Sequence, residues 1–355
     1  YNERFFTDLS NIRLHWTLTS NGEQIETGDI NLLDVPAQST REYTLNYKLP
    51  SLSSEIILTI RYYTKTEQNL VPGNYEVAHQ QFIIQQGDYS QKETICNSNL
   101  PVDDALPTPC FWRAPLDNDY GVDLPKKFNV WRNPELILIS QEKTNAQDEP
   151  LTVQSRTTYQ YKVKDTESTL TMTYTHLING ALNIKMNLKM GQSDPNIFRL
   201  GLQWILPREW EYIRYYGRGP WENYPDRKSA ALVGIYSQTV SEQYYPYVRP
   251  QETGTKSDVR WWELTDKDGH GYRISAPKPF MASALHYTME SLDDGDDKND
   301  YQSHGSLVPE TDATILHIDG FQQGVGGVDS WKSYPLPQYM LPASEYEFEC
   351  TIKQL

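Results

Sequence analysis

The chain is poor in basic residues, in cysteine and in long apolar runs. Its 355 residues hold 32 Lys and Arg against 47 Asp and Glu, a formal charge of −15. A surface of that sign repels a phosphate backbone or an anionic membrane, so no nucleic acid and no membrane is expected as a partner. No apolar run approaches the ~20 residues of a membrane-crossing helix. The three cysteines, Cys96, Cys110 and Cys350, are widely spaced, with neither a CxxC pair nor a Cys/His cluster. That gives no zinc-ligand pattern, and no metal site is expected in this chain. A Cys96–Cys110 disulfide and three reduced thiols both remain open, with thiols the preferred expectation. The chain opens on Tyr1 with residues that already read as folded, so a segment of a longer polypeptide is expected. Any signal peptide would then lie upstream, and the compartment is undecided.

What is abundant is aromatic, with 25 Tyr and 9 Trp beside 9 Phe. Such rings suit half-buried strands and polar-rimmed grooves, and a pyranose stacks its apolar face on them. Period-two alternation dominates: Ile12, Leu14, Trp16 and Leu18 face one way, and Arg13, His15, Thr17 and Thr19 the other. Asn21-Gly22 then signals a hairpin. Further strands are expected at 26–32, 41–47, 55–63 and 76–84, giving an immunoglobulin-like β-sandwich over 1–86. Beyond a polar, turn-rich stretch, strands are expected at 151–164, 168–176, 181–190, 197–205 and 212–216. Later ones fall at 259–264, 272–276, 282–287, 314–318 and 346–352. So much strand in 87–355 calls for a large two-sheet sandwich. Short helices are expected near 289–292 and 229–232.

Several clusters offer chemistry. Asp117, Asn118 and Asp119 form one, and Glu222 with Asp226 another. Paired carboxylates can act as acid and nucleophile in glycoside hydrolysis. Arginines stand beside each group (Arg113; Arg218 and Arg227), which favours salt bridges that pin loops. The acidic run 293–300 lacks the Gly and Glu positions of an EF-hand and reads as a solvated loop. Gly324-Val-Gly-Gly327 lacks the strand–turn–helix context of a nucleotide site.

Four long motifs carry a resemblance. They are Phe111-Trp-Arg-Ala-Pro-Leu-Asp-Asn-Asp-Tyr-Gly121, Tyr216-Gly-Arg-Gly-Pro-Trp-Glu-Asn-Tyr-Pro-Asp-Arg-Lys228, and Glu242-Gln-Tyr-Tyr-Pro-Tyr-Val-Arg-Pro-Gln-Glu252 with Asp258-Val-Arg-Trp261. The fourth is Asp319-Gly-Phe-Gln-Gln-Gly-Val-Gly-Gly-Val-Asp-Ser-Trp331, leading into Pro335-Leu-Pro-Gln-Tyr339. In this order they resemble the C-terminal small-chain domain of family 2 β-galactosidases, and residues 1–86 resemble the immunoglobulin-like domain that precedes it.

The resemblance implies an all-β chain whose second domain is a large antiparallel β-supersandwich, similar to galactose mutarotase. It implies a bacterial retaining hydrolase of terminal β-galactosides, homo-oligomeric, in cytoplasm or periplasm. The two catalytic glutamates, with Mg and Na, would lie on an upstream (β/α)8 barrel of the same polypeptide. No catalytic residue and no cofactor is then expected in this chain, and Glu222 and Asp226 return to pinning loops. The resemblance assigns Trp331 the role of a stacking platform for the sugar. It also gives the segment around Asp119 and Gly121 as a loop bordering the active site. Glucuronidases and mannosidases of the family generally lack this domain. An autonomous carbohydrate-binding module and a structural or oligomerisation domain are the competing readings.

Overall fold

The computed structural model describes residues 1–50, 54–68, 70–89, 106–145, 150, 152–293, 304–329 and 333–355. The chain divides into two compact units, Tyr1–Asp88 and Tyr89–Leu355. Trp331, Cys96 and most of the acidic run lie outside the described residues.

The first unit is a four-stranded antiparallel sheet of β1 (Ile12–Ser20), β2 (Glu23–Ile30), β3 (Ile56–Thr64) and β4 (Glu76–Gln85), in the order β2-β1-β3-β4. The Asn21-Gly22 hairpin forms as expected, both residues having positive φ (47° and 87°). The expected inward row Ile12, Leu14, Trp16 and Leu18 is buried against Leu33, Val35, Ile56 and Leu58. The expected strand at 41–47 is absent among the described residues. Tyr43, Leu45 and Tyr47 do alternate inward, but the segment lies over the sheet as a covering layer and joins no ladder. Alternation there records packing, not pairing.

The second unit is one 12-stranded sheet. Its strands are β5 (Thr108–Cys110), β6 (Leu136–Asn145), β7 (Val153–Val163), β8 (Thr169–Leu177), β9 (Leu182–Lys189) and β10 (Arg199–Leu206). There follow β11 (Tyr212–Gly219), β12 (Leu232–Thr239), β13 (Lys256–Thr265), β14 (Gly271–Leu285), β15 (Thr314–Gln322) and β16 (Glu345–Gln354). The main path runs β12-β11-β13-β14-β16-β9-β8-β7-β6, with β15, β10 and β5 branching from β14. All pairings are antiparallel. The branch has a covalent cause. Pro277 and Pro279 lack N–H groups, and β14 pairs β16 before them and β15 after them. The two strands expected at 272–276 and 282–287 are thus one strand that changes partner.

Leu182, Ile184, Met186 and Leu188 of β9 are all exposed by 1% or less, and Met186 sits between Met172 of β8 and Phe348 of β16. Burying each such side chain stabilises the fold by roughly 1.5–3 kcal/mol. Of the two expected helices, α3 (Met289–Leu292) forms, after α1 (Asp117–Gly121) and α2 (Leu124–Lys127). Residues 229–231 are instead a turn and bend, because Leu232 already pairs with Gly219 as the start of β12. Cys110 and Cys350 are buried free thiols.

Candidate functional site

The sheet delivers the four signature stretches to one loop cluster. The first follows β5, the second links β11 to β12, the third leads from β12 into β13, and the fourth leaves β15. Side chains of the first two stretches bind main-chain groups of the other loops. Arg113, wholly buried, donates to Gln323 O (2.6 Å) and Gly324 O (3.0 Å) and pairs with both Asp119 oxygens (3.0 and 3.1 Å). Asp119 also accepts from Leu116 N (2.9 Å), closing the turn at the head of α1. Burial pushes the Asp119 carboxyl up, against the pull of Arg113. Gly121 ends α1, exposed and with open space on its Cα.

The second signature holds the other loops. Glu222 accepts from Arg227 and Tyr247 through one oxygen, and from Thr253 Oγ1 (3.0 Å) and Gly254 N (2.9 Å) through the other. Asn223 accepts from Ser257 N (2.9 Å) and donates to Arg218 O and Trp221 O (3.0 Å each). Asp226 accepts from Val325 N and Gly326 N, both at 2.9 Å. Consecutive amides of this kind form an anion-binding concavity, and here the anion is the chain's own carboxylate. The glycine run 324–327 is therefore a cradle for Asp226.

Beneath the loops lies a buried ionic cluster that sequence reading missed. Arg199 pairs with both Glu252 oxygens (3.1 Å each), with Asp319 (3.1 Å) and with His317 Nδ1 (2.9 Å). Two carboxylates face one guanidinium. Burial raises Asp319 to about 7, opposed by Arg199 and aided by Glu252. Burial and the Arg199 charge hold His317 well below the usual imidazole range. Lys256, bound to Gln243 Oε1 (2.6 Å) and Gly254 O (2.9 Å), is lowered by burial to about 7. Arg199 stands 53 residues from Glu252 and 118 from His317, so the cluster leaves no local signal. Asp293, expected at the head of a solvated acidic loop, is instead turned inward with its side chain 2% exposed: it takes bonds from Trp112 Nε1 (3.2 Å) and Tyr120 (3.3 Å) and pairs with Arg132 (2.9 Å).

Between the loops lies a pocket of about 260 Å³, lined by Asp117, Asn118, Glu222, Tyr224, Arg227 and Val325 among others. The carboxylates Glu222, Asp226, Asp119 and Glu252 are all engaged in holding loops. Of metal-ligand clusters among the described residues, Asp266, Asp268 and His270 come together. They form a hairpin turn in which Asp266 Oδ1 already accepts from the amides of Asp268 and His270.

An antiparallel supersandwich with a fastened loop end of this kind defines a scaffold domain whose acidic side chains hold its own loops. Comparison narrows the class. Residues 74–352 match the family described as beta galactosidase small chain, and residues 1–85 match beta-galactosidase, domain 4. The chain belongs to the β-galactosidase small-chain family. It is 28% identical to a beta-galactosidase of Priestia megaterium, over 100% of the chain and 37% of that protein. To a beta-galactosidase of Lactococcus lactis it is 28% identical, over 99% of the chain and 39% of the relative. To that of Lactobacillus delbrueckii it is 32% identical over 68% of the chain. The chain thus spans less than two fifths of these relatives' length and matches their C-terminal part. Among solved structures, a galactose mutarotase related enzyme from Lactobacillus acidophilus overlaps 63% of the chain and 72% of its own, with 10% identity and a TM-score of 0.34.

Proposed function

We propose that the chain is the non-catalytic C-terminal portion of a retaining β-galactosidase and that it lends Trp331 to an active site on a (β/α)8 barrel of the same polypeptide. One observation carries the reading: Asp119, Glu222, Asp226 and Glu252 are engaged in fastening the chain's own loops, and Asp226 holds the glycine turn that leads to Trp331. A retaining hydrolase needs two carboxyl groups about 5–5.5 Å apart and free to act. In this reading those groups belong to the barrel, together with Mg and Na. Substrates are terminal β-galactosides such as lactose, and the whole protein is a homo-oligomer. The segment around Gly121 borders the sugar site. Trp331 offers a rigid apolar face and one N–H, a platform for a pyranose.

The chain alone is expected to show no turnover of a chromogenic β-galactoside. Turnover that persists through purification would overturn the proposal. The pocket of about 260 Å³ favours a second reading, an autonomous carbohydrate-binding module. Calorimetric titration separates the two: millimolar or tighter binding of galactose or lactose, abolished by Trp331→Ala, would support the module.

A further inference from the structure

The fourth signature loop is gripped at one peptide group from two sides. Asp226 Oδ1 accepts from Val325 N and Oδ2 from Gly326 N, both at 2.9 Å. Asn118 Nδ2 donates to Val325 O at 3.0 Å. The peptide joining Val325 to Gly326 is therefore bound through its N–H and its C=O by residues of two different loops. Gly324 leaves room for this grip, since a Cβ there would stand 2.5 Å from Asp226 Oδ2. The chain then takes positive φ at Gly326 (74°) and Gly327 (89°). These angles come at little steric cost only to glycine, so the departure of the chain is fixed immediately past the gripped peptide.

The bonding of Asp226 is unlike that of its neighbours. Glu222 ties its arginine and a second loop together. Asp226 accepts both of its hydrogen bonds from one loop and, among the described residues, forms no ion pair. A carboxylate bonded in this way does little for the sheet and much for the direction of that loop.

We propose that Asp226, with Asn118 as its counterpart, is a positioning residue: through the Val325–Gly326 peptide it sets the direction in which the chain runs toward Trp331, five residues beyond Gly326. Its bearing on sugar binding rests on the reading of Trp331 as a platform. The test labels the 355-residue chain with 5-fluorotryptophan, which gives nine 19F signals. Trp331→Phe assigns that of Trp331. Asp226→Asn keeps the size but turns one acceptor into a donor facing an amide. It should move or broaden the Trp331 signal while the core residues Trp131, Trp204 and Trp262 keep theirs. Asn118→Ala should move the same signal without touching the carboxylate, and it decides the matter if Asp226→Asn fails to fold. A Trp331 signal unmoved by the folded variants overturns the proposal. In the longer polypeptide, Asp226→Asn should raise KM about tenfold with little change in kcat, within the ~100-fold that misplacing a positioning group can cost. A moved signal with an unchanged KM would leave the positioning role standing and refute the platform reading.

Discussion

The strands around β9 and the loop end of the same sheet are equally buried and are held by opposite means. On β9, Leu182, Ile184, Met186 and Leu188 stack on apolar rows of β8 and β16. At the loop end Arg113, Asp119, Arg199 and Asp319 are buried just as deeply, and Glu252 nearly so. Apolar burial is non-directional and tolerates swaps that conserve volume. A buried ion pair does not tolerate the loss of one partner, because the other is left charged and dry. The strand region is therefore a scaffold, and the loop end is a fastening whose parts depend on one another.

The largest effect is expected where that dependence is greatest. Arg199→Met strands Glu252 and Asp319 together and should cost about 3–5 kcal/mol in urea unfolding. A loss below 1 kcal/mol would show that charge does not hold this end. Next comes Asp319, whose sign is distinctive. Its folded pKa is raised from 3.8 to about 7, so the folded state binds more protons than the unfolded one between those values. The stability it contributes is complete below about pH 4 and is lost as pH rises toward 7. Asp319→Asn should flatten that slope, gaining on the native chain at pH 8 relative to pH 4. A variant whose thermal midpoint tracks the native one across this range would remove Asp319 from the account.

On the strand side the effects are smaller. Ile184→Val removes one buried methyl group and should cost about 0.5–1.5 kcal/mol. Thr158→Ala, on the polar face where Thr158 meets Thr173 at 3.2 Å, should fall within about 0.5 kcal/mol of zero. If Thr158→Ala matched Ile184→Val, the two faces of the sheet would not differ as described.

The same contrast decides what could be read from the sequence. Strands with one apolar face, such as β1, β8 and β9, declare themselves by alternation. Strand β6 was missed because Ile137, Leu138 and Ile139 are consecutive and all exposed at the sheet edge. Segment 41–47 misled because packing alone can alternate. At the loop end, partners close in sequence were legible, as with Arg113 beside Asp119 and Arg227 beside Glu222. Arg199 with Asp319, and Asp226 with the amides of Val325 and Gly326, were not, since roughly a hundred residues separate them and backbone groups carry no sequence signature.

The platform assigned to Trp331 is tested most directly by kinetics of Trp331→Ala in the longer polypeptide, with the 355-residue variant melted in parallel. Loss of a buried apolar contact of ~1–3 kcal/mol should lower kcat/KM by about 5- to 150-fold while the melting transition stays in place. Unchanged kinetics would contradict the account, and a chain that no longer folds would make Trp331 a core residue of its own domain instead.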